Sequence, residues 1–316
     1  MKFLIFCLFF IIGRSLYAQF EESTDKEKAY EKYMDLVKPE ASVQGGACFG
    51  DYLFVGHNRN SFMDVYDMTL RIYVCSMTMQ TPEPKNRCHA NTVNFGNLYY
   101  KDGDDFPLLY VSSGYTISKT DDKSNIYVFR INKKIVKADS IVFRSELVQT
   151  ISVIGVNWSE CITDNEHDAI WINYEGNNKS YFLKYPVPPV NQKNILINPR
   201  ETAALDTIIT KNYKILKHNQ GILCHDGYIF TPFGVPAWRE EPYLSIIDLE
   251  KKDYAYIVNL YDLEMYNRLN LRDNTWEPEF FFAYNGDFFM GYRSAIYKLN
   301  MKLVKESNFF YNINCK

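Results

Sequence analysis

The sequence predicts an all-β protein, and three observations support this: its aromatic content, a repeated polar position and the paired apolar runs after it. The 316 residues include 25 Tyr and 22 Phe but only 15 Gly, a balance that favours strands packed face to face. At regular places along the chain, a polar residue precedes a turn and a short apolar run that is typical of a β-strand. A second apolar run follows each time. Repetition of a strand-rich unit of this kind predicts the blades of a β-propeller.

The repeat is clearest in two segments with the same register. Gln44 begins Gln-Gly-Gly-Ala-Cys-Phe-Gly-Asp before the run at Tyr52, and Gln220 begins Gln-Gly-Ile-Leu-Cys-His-Asp-Gly before the run at Tyr228. Three further polar residues align with these two, one of them across a longer insertion: Glu160, Glu279 and Asn91. The five aligned positions are roughly 50–70 residues apart, which indicates five repeats.

Four short strands per repeat predict a five-bladed β-propeller, with four-stranded antiparallel blades around a central channel. We expect one domain over residues 41-316, with blades at about 41-80, 86-153, 154-211, 214-262 and 273-316. The dipeptides Asp226-Gly227 and Asn285-Gly286 fall between the first and second strands of their repeats. Tight hairpins need residues that accept positive φ at this point.

The first residues have the layout of a secretory signal. Met1 to Ala18 contains a basic residue, an apolar run of about eleven residues and a small residue before Gln19. The run is too short to span a bilayer, and no later stretch has the ~20 apolar residues that a spanning helix needs. We therefore predict residues 1-18 to be a signal peptide and the protein to be exported, to a periplasm or outside the cell, with no transmembrane segment.

Residues 19-40 are predicted to form a short N-terminal helical extension. Between Glu21 and Val37 the chain is charged, and Tyr30, Tyr33 and Met34 lie on one side with Val37 at helical spacing. We expect this helix to pack on the outside of the propeller or to extend from it, and a helix that binds a partner is the alternative.

Charge and cysteine content restrict the partners. The 35 basic and 38 acidic residues are interspersed, so there is no basic stripe and nucleic acid is not predicted as a partner. After the signal, six cysteines remain, which could form disulfides in an exported protein or serve as buried free thiols. They are Cys48, Cys75, Cys88, Cys161, Cys224 and Cys315. None forms a C-x-x-C pair, so no zinc or redox motif is predicted.

The register also predicts a polar channel. In a propeller the first strand of each blade lines the channel, so the aligned residues form a first ring of Gln44, Asn91, Glu160, Gln220 and Glu279. Side chains two positions apart share a strand face, which gives a second ring of Ser42, His89, Trp158, His218 and Glu277. An unpaired buried polar group costs about 1–3 kcal/mol, so we expect a wet, partly acidic channel.

Several roles are open for these rings. They could be hydrated or fasten neighbouring blades to one another. They could also bind a ligand at the channel mouth, with Trp158 stacking on a sugar and the amides fixing its orientation. The candidate ligand-binding residues are Gln44, His89, Asn91, Trp158, Glu160, His218, Gln220, Glu277 and Glu279.

Catalysis and metal binding are further alternatives. Two carboxyl groups at a suitable separation can hydrolyse a glycosidic bond, and Glu160 with Glu277 or Glu279 are the candidates. His89 and His218 with one glutamate could hold a divalent metal ion such as zinc or manganese. Otherwise no cofactor is predicted.

Several segments between Gln44 and Tyr292 resemble known five-bladed propellers. The similarity is to phage receptor-binding proteins and a teichoic-acid-operon protein, and it rests on Gln44-Gly-Gly-Ala-Cys-Phe-Gly-Asp-Tyr-Leu-Phe, Cys88-His-Ala-Asn-Thr-Val-Asn-Phe, Phe106-Pro-Leu-Leu-Tyr-Val-Ser, Gln220-Gly and Glu277-Pro-Glu. The Ala18-Gln19 cleavage site is similar to that of exported Bacteroidetes propellers. The resemblance implies a five-bladed fold and, from the phage members, contact with cell-surface glycan. The sequence departs from the pattern at Phe280, where Gly is usual, and in the third repeat, which has no Gln-Gly.

Three functions follow as hypotheses. The first is an exported, non-catalytic binding propeller that recognises a glycan or a protein partner at the channel mouth. The alternative is a glycan-active hydrolase or lyase that uses Glu160, Glu277 or Glu279. The third is an interaction scaffold whose channel is inert, for which channel substitutions would alter stability alone.

Overall fold

The chain forms five β-sheets arranged in a ring, which confirms the predicted five-bladed propeller. The computed structural model describes residues 28–37, 43–58, 62–82, 89–113, 123–136, 140–211, 213–216, 218–235, 238–260 and 277–307. The first strand of each blade contacts the first strand of the next blade, and the fifth contacts the first, so the ring is closed.

Strand β1 (Tyr30–Asp35) belongs to the last blade, and the four other blades follow in chain order. The first blade contains β2 (Val43–Phe49), β3 (Tyr52–His57), β4 (Phe62–Asp67) and β5 (Ile72–Thr78). The second contains β6 (Val93–Phe95), β7 (Leu109–Ser112), β8 (Lys123–Ile135) and β9 (Ile141–Ile154). The third contains β10 (Glu160–Asp164), β11 (Ala169–Gly176), β12 (Lys179–Pro186) and β14 (Asp206–Lys211).

The fourth blade contains β15 (Leu223–His225), β16 (Tyr228–Phe233), β17 (Tyr243–Asp248) and β18 (Asp253–Asn259). The fifth contains β19 (Pro278–Tyr284), β20 (Asp287–Tyr292) and β21 (Ala295–Leu299), and helix α1 (Met301–Glu306) follows it. Strand β13 (Asn194–Ile197) comes from the third repeat but pairs in parallel with β9, at the outer edge of the second blade.

The N-terminal helix predicted for this chain is wrong over Tyr30–Asp35, because these residues form β1. Strand β1 pairs antiparallel with β21, with Tyr30 opposite Leu299, and supplies the fourth strand of the last blade. Burial alternates as in a strand: Met34 is 5% exposed and Leu36 is buried, whereas Asp35 between them is exposed. A register shift between Lys32 and Met34 produces the spacing that resembles a helix. Residues 28–29 and 36–37 are not helical either, and residues 19–27 and 38–40 of the predicted extension lie outside the described residues.

Aromatic side chains fill the spaces between neighbouring blades. Between the first and second blades, Phe54 packs edge-on against Phe95 at 5.2 Å and against Phe143 at 5.4 Å between ring centroids. Edge-to-face packing suits the charge distribution of aromatic rings. The aromatic content of the sequence is therefore used mainly as blade-to-blade core.

The two predicted hairpin turns are confirmed. Asp226 and Gly227 have φ of 49° and 74°, and Asn285 and Gly286 have φ of 50° and 79°. Both turns join the first and second strands of a blade, where two successive positive φ angles match the twist of the paired strands.

The cysteines in the described part of the chain are free thiols, namely Cys48, Cys75, Cys161 and Cys224. Burial raises the pKa of the Cys161 thiol above its ordinary value. Cys88 and Cys315 lie outside the described residues. So does the predicted signal peptide, and no helix in the described ranges has the length and apolar character to cross a membrane.

Candidate ligand-binding site at the channel mouth

The first ring lies deep in the channel, and its members connect different blades. All five of its side chains are buried: Gln44, Asn91, Glu160, Gln220 and Glu279. Gln44 Nε2 donates to Glu279 Oε2 at 3.2 Å, which joins the first and fifth blades. Asn91 Nδ2 donates to Glu160 Oε1 at 2.8 Å and to the carbonyl oxygen of Asn219 at 3.3 Å. These hydrogen bonds fasten the blades together around the axis.

Glu160 is fully enclosed at the start of β10. The indole Nε1 of Trp158 and the amide of Asn91 both donate to its Oε1, whereas its Oε2 has no hydrogen-bond partner in the described residues. Burial raises the pKa of Glu160 to about 7, and the nearby Thr92 hydroxyl, Asn91 and Trp158 oppose that rise. A carboxyl in this position favours its neutral form.

Glu277 and Glu279 stand two residues apart at the start of the fifth blade. Burial, and then the charge of Glu277, raise the pKa of Glu279 well above its ordinary value. Burial also raises the pKa of Glu277 to about 7, although the electrostatic effects of Arg293 and His218 act in the opposite direction. Gln220 Nε2 donates to Glu277 Oε1 at 2.9 Å. The channel is therefore less negatively charged near neutral pH than its glutamates suggest.

A cavity of about 1390 Å³ opens at the mouth of the channel. It is lined by most of the residues that the register nominated: Gln44, His89, Asn91, Trp158, His218, Gln220 and Glu277. Glu160 and Glu279 do not line the cavity, because their side chains are fully buried. Of the three candidate catalytic carboxyls, only Glu277 faces the cavity. Ser42 lies outside the described residues.

The cavity walls carry aromatic residues that the register does not predict. Tyr174 and Tyr181, at the ends of β11 and β12, stack in parallel with ring centroids 4.9 Å apart. Trp238 lies in the connection between β16 and β17, also lines the cavity, and is 64% exposed. Tyr213, Arg200 and Lys214 complete this part of the lining.

Strand direction explains where these additional residues come from. Because strands alternate in direction, the connection between the second and third strands of each blade lies at the same mouth as the start of the first strand. Asn58, Asn177 and Trp238 all belong to such connections and all line the cavity. This topological rule, applied to the predicted strands, is the signal that could have found them.

Two histidines of the second ring each pair with an aromatic ring. His89 Nδ1 lies 2.8 Å from Asn58 Oδ1, and its ring meets Trp158 at 5.6 Å. His218 Nδ1 lies 2.8 Å from Glu240 Oε2, and its ring meets Trp238 at 4.7 Å. Within the described ranges, no three His, Cys, Asp or Glu side chains gather closely enough to hold a metal ion. The predicted pairing of His89 and His218 around a shared metal ion is thus not formed by these residues.

Comparison with known proteins places the chain among β-propellers by fold. Comparison with protein-family models gives no match, and comparison with curated protein sequences gives none either. Among solved structures, the chain is similar to Myxococcus xanthus glutaminyl cyclase, with a TM-score of 0.51 and 10% identity over 85% of this chain and 94% of that one. It is also similar to a glucose dehydrogenase, with a TM-score of 0.50 and 8% identity over 86% of this chain and 99% of that one.

A third similar structure is the PQQ-bound aldose sugar dehydrogenase of Streptomyces coelicolor, with a TM-score of 0.48 and 10% identity over 86% of this chain and 98% of that one. At this level of identity the likeness concerns the propeller architecture. The activities of these enzymes are properties of those proteins, because one propeller fold supports many unrelated functions.

Proposed function

We propose that this protein is an exported propeller that binds a glycan in the cavity at the channel mouth. The observation that carries the proposal is the lining of this cavity, which contains both aromatic rings and side-chain amides. Sugars bind through stacking of their apolar faces on aromatic rings and through hydrogen bonds from their hydroxyls to amides and carboxyls.

The size of the cavity supports a ligand of more than one sugar unit. Small-molecule pockets commonly measure about 300–1,000 Å³, and this cavity measures about 1390 Å³. Trp238 at the rim and the Tyr174–Tyr181 pair on the wall offer separate stacking surfaces. The cavity is concave, which favours a glycan chain over the flat surface of a folded protein partner. The resemblance to phage receptor-binding propellers is consistent with this ligand class.

The test begins with the purified chain on a glycan array, followed by calorimetry on each glycan that binds. Trp238→Ala and Tyr174→Ala should each weaken binding about tenfold, because stacking on an aromatic ring contributes about 1.4 kcal/mol. The matched control is Tyr73→Ala, since Tyr73 is 40% exposed on β5 and does not line the cavity. This control should bind like the wild type.

Two results would contradict the proposal. One is the absence of binding to every glycan class by a protein that unfolds cooperatively. The other is a bound glycan whose affinity is unchanged in both cavity variants. Either result would favour the scaffold function, with partners at the outer edges of the blades.

A further inference from the structure

His218 lines the cavity, and a carboxylate holds its imidazole ring in a fixed orientation. Its Nδ1 lies 2.8 Å from Glu240 Oε2, and that oxygen also accepts the backbone N–H of Val235 at 3.1 Å. An ionised carboxylate only accepts hydrogen bonds, so the imidazole carries its proton on Nδ1. Its Nε2 is therefore left as a lone-pair acceptor on a side chain that is half exposed and lines the cavity.

The backbone fixes His218 in this position. Its φ is 53°, in the left-handed region, and its carbonyl oxygen accepts the N–H of Gly234 at 3.3 Å. The neighbouring residue Asn219 forms a bridge with Phe233 at the end of β16. A non-glycine residue in this region persists where its surroundings hold it, and such positions are concentrated at functional sites.

The second histidine of the cavity has an amide, and not a carboxylate, at its Nδ1. His89 pairs with Asn58, a neutral amide that cannot stabilise a protonated imidazole as a carboxylate does. His218 has a carboxylate on its Nδ1, and this carboxylate would stabilise the imidazole when it takes up a proton during a reaction. A carboxylate that orients a histidine base in this way is a recurring catalytic arrangement.

A proton donor faces the same cavity. Glu277 is held by Gln220 Nε2 at 2.9 Å, and a substantial fraction of it is protonated at neutral pH because its pKa is about 7. The charged and titratable groups that act on Glu277 are His218, Arg293 and Glu240, and it acts in turn on Glu279. Of the three carboxyls that the register predicts, Glu277 is the one that lines the cavity, whereas Glu160 and Glu279 are buried; Glu175, outside the register, lines it too.

We propose that Glu277 and the Glu240–His218 pair form a general acid–base centre that hydrolyses a glycosidic bond of the bound glycan. This inference rests on the proposed glycan binding. Glu277 and His218 would be the catalytic residues, and Glu240 would be a positioning residue that fixes the imidazole.

The reaction is a single displacement. His218 Nε2 takes a proton from a water molecule as its oxygen forms a bond with the anomeric carbon. The bond from that carbon to the leaving oxygen breaks, its electron pair stays on the oxygen, and Glu277 gives this oxygen a proton. The imidazolium then returns its proton through solvent to the Glu277 carboxylate. The configuration at the anomeric carbon is inverted.

The first experiment uses the full chain with each glycan that binds on the array. Hydrolysis is measured by the release of reducing ends and by NMR of the first-formed anomer. We expect turnover with inversion. His218→Gln and Glu277→Gln should each lower kcat by about 100-fold or more, as is usual for loss of a general base or acid, while Kd changes by only a few fold. His225→Gln is the control, because His225 lies in the same blade but does not line the cavity.

The pH–rate profile separates the positioning role of Glu240 from a purely structural one. The wild type should give a bell-shaped profile. Glu240→Gln should move the acidic limb to lower pH, because the amide no longer stabilises the protonated imidazole, and should leave the melting temperature close to that of the wild type. A fall in kcat with an unmoved acidic limb would contradict the positioning role.

Each outcome decides between the two proposals. A glycan that binds and stays intact at every pH overturns the acid–base centre and leaves the binding function in place. Turnover that survives in His218→Gln or Glu277→Gln also overturns the centre. If no glycan binds, both proposals fail. Independently of any ligand, ¹⁵N NMR should find the His218 proton on Nδ1, and a proton on Nε2 of the neutral ring would overturn the inference.

Discussion

Trp158 donates its indole N–H to Glu160, the residue two positions further along the chain. The side chain that covers the buried carboxyl from the cavity side thus also supplies one of its hydrogen bonds. The cavity wall and the channel floor are coupled at this point, since Trp158 lines the cavity and Glu160 does not. This contact explains how Glu160 is shielded from the cavity while Trp158, two residues earlier, lines it.

The buried carboxyls predict an unusual dependence of stability on pH. Glu160 keeps its proton to about pH 7 in the folded protein, whereas its ordinary pKa is 4.5. The folded state therefore binds more protons than the unfolded state over this interval. The contribution of Glu160 to the free energy of unfolding is fully present below about pH 4.5. This contribution, of order 3 kcal/mol, is lost as the pH rises to about 7.

Glu160→Gln should remove this contribution. Glutamine has the shape of the neutral carboxyl and keeps an oxygen for Trp158 and Asn91, so the variant should be more stable than the wild type at pH 8 and similar to it at pH 5. Denaturant unfolding at the two pH values measures the difference. Glu250→Gln, at an exposed position, should retain the wild-type pH dependence. A Glu160→Gln variant that is less stable at both pH values would contradict the assigned protonation.

Phe280 occupies a space that three glycines leave open. A Cβ atom added at Gly291 would lie 2.1 Å from Phe280 Cζ, and one at Gly46 would lie 2.5 Å from Phe280 Cε2. Gly221 faces the Cβ of the same residue at 2.8 Å. The phenyl ring of Phe280 therefore requires glycine at these three neighbouring positions.

Gly291→Ala should destabilise the protein by about 1–3 kcal/mol or more, because the added methyl group overlaps a fully buried ring. Adding Phe280→Leu should recover part of the loss, and a double-mutant cycle measured by urea unfolding gives the coupling. The control is Gly176→Ala, where an added Cβ meets only Tyr181 at an ordinary 3.8 Å. Strictly additive effects of the two substitutions would show that the ring and the glycine do not compete for space.

The closure of the ring by β1 gives a prediction at the N-terminus. Met34 packs in the core formed with Phe289 and Ile296, so Met34→Ala should cost about 2–5 kcal/mol of unfolding free energy. Glu31→Ala, at an exposed position of the same strand, should cost less than about 0.5 kcal/mol. Equal effects of the two substitutions in thermal or urea unfolding would be expected of a detached segment and would contradict the pairing with β21.

Asp104 and Arg130 form a two-point ion pair in the second blade. Arg130 Nε donates to Asp104 Oδ2 at 2.9 Å and Nη2 to Oδ1 at 2.5 Å. The hydrogen bonds from Arg130 lower the pKa of Asp104. The ion pair therefore stabilises the folded state above the ordinary pKa of aspartate, and this stabilisation is lost as the pH falls through the lowered pKa of Asp104.

Asp104→Asn should reduce the unfolding free energy by about 1–3 kcal/mol at pH 7, because it weakens charge-assisted hydrogen bonds and leaves Arg130 without that charge. Asp102→Asn in the same loop is the control, since Asp102 is exposed. The difference between the two variants should shrink in acid. A difference that persists unchanged down to pH 2 would indicate that the charge of Asp104 is not involved.

The sequence by itself determined the repeat, the number of blades and the polar register of the channel. These features are local: strands alternate side chains with period two, and Asp226-Gly227 or Asn285-Gly286 specifies a tight hairpin within a few residues. The alignment was therefore enough to predict that five buried side chains surround the channel axis, namely Gln44, Asn91, Glu160, Gln220 and Glu279.

Only the tertiary structure decided how the ring closes and which of those residues a ligand could meet. Tyr30 pairs with Leu299, which is far away in the sequence. Because a register shift between Lys32 and Met34 distorts the spacing of the apolar residues in β1, the sequence pattern does not distinguish this strand from a helix. Trp238 lines the cavity from the β16–β17 connection, which has no repeated register. The protonation of Glu160, Glu277 and Glu279 depends on burial among distant segments, because the free energy of a charge is set by what surrounds it in space.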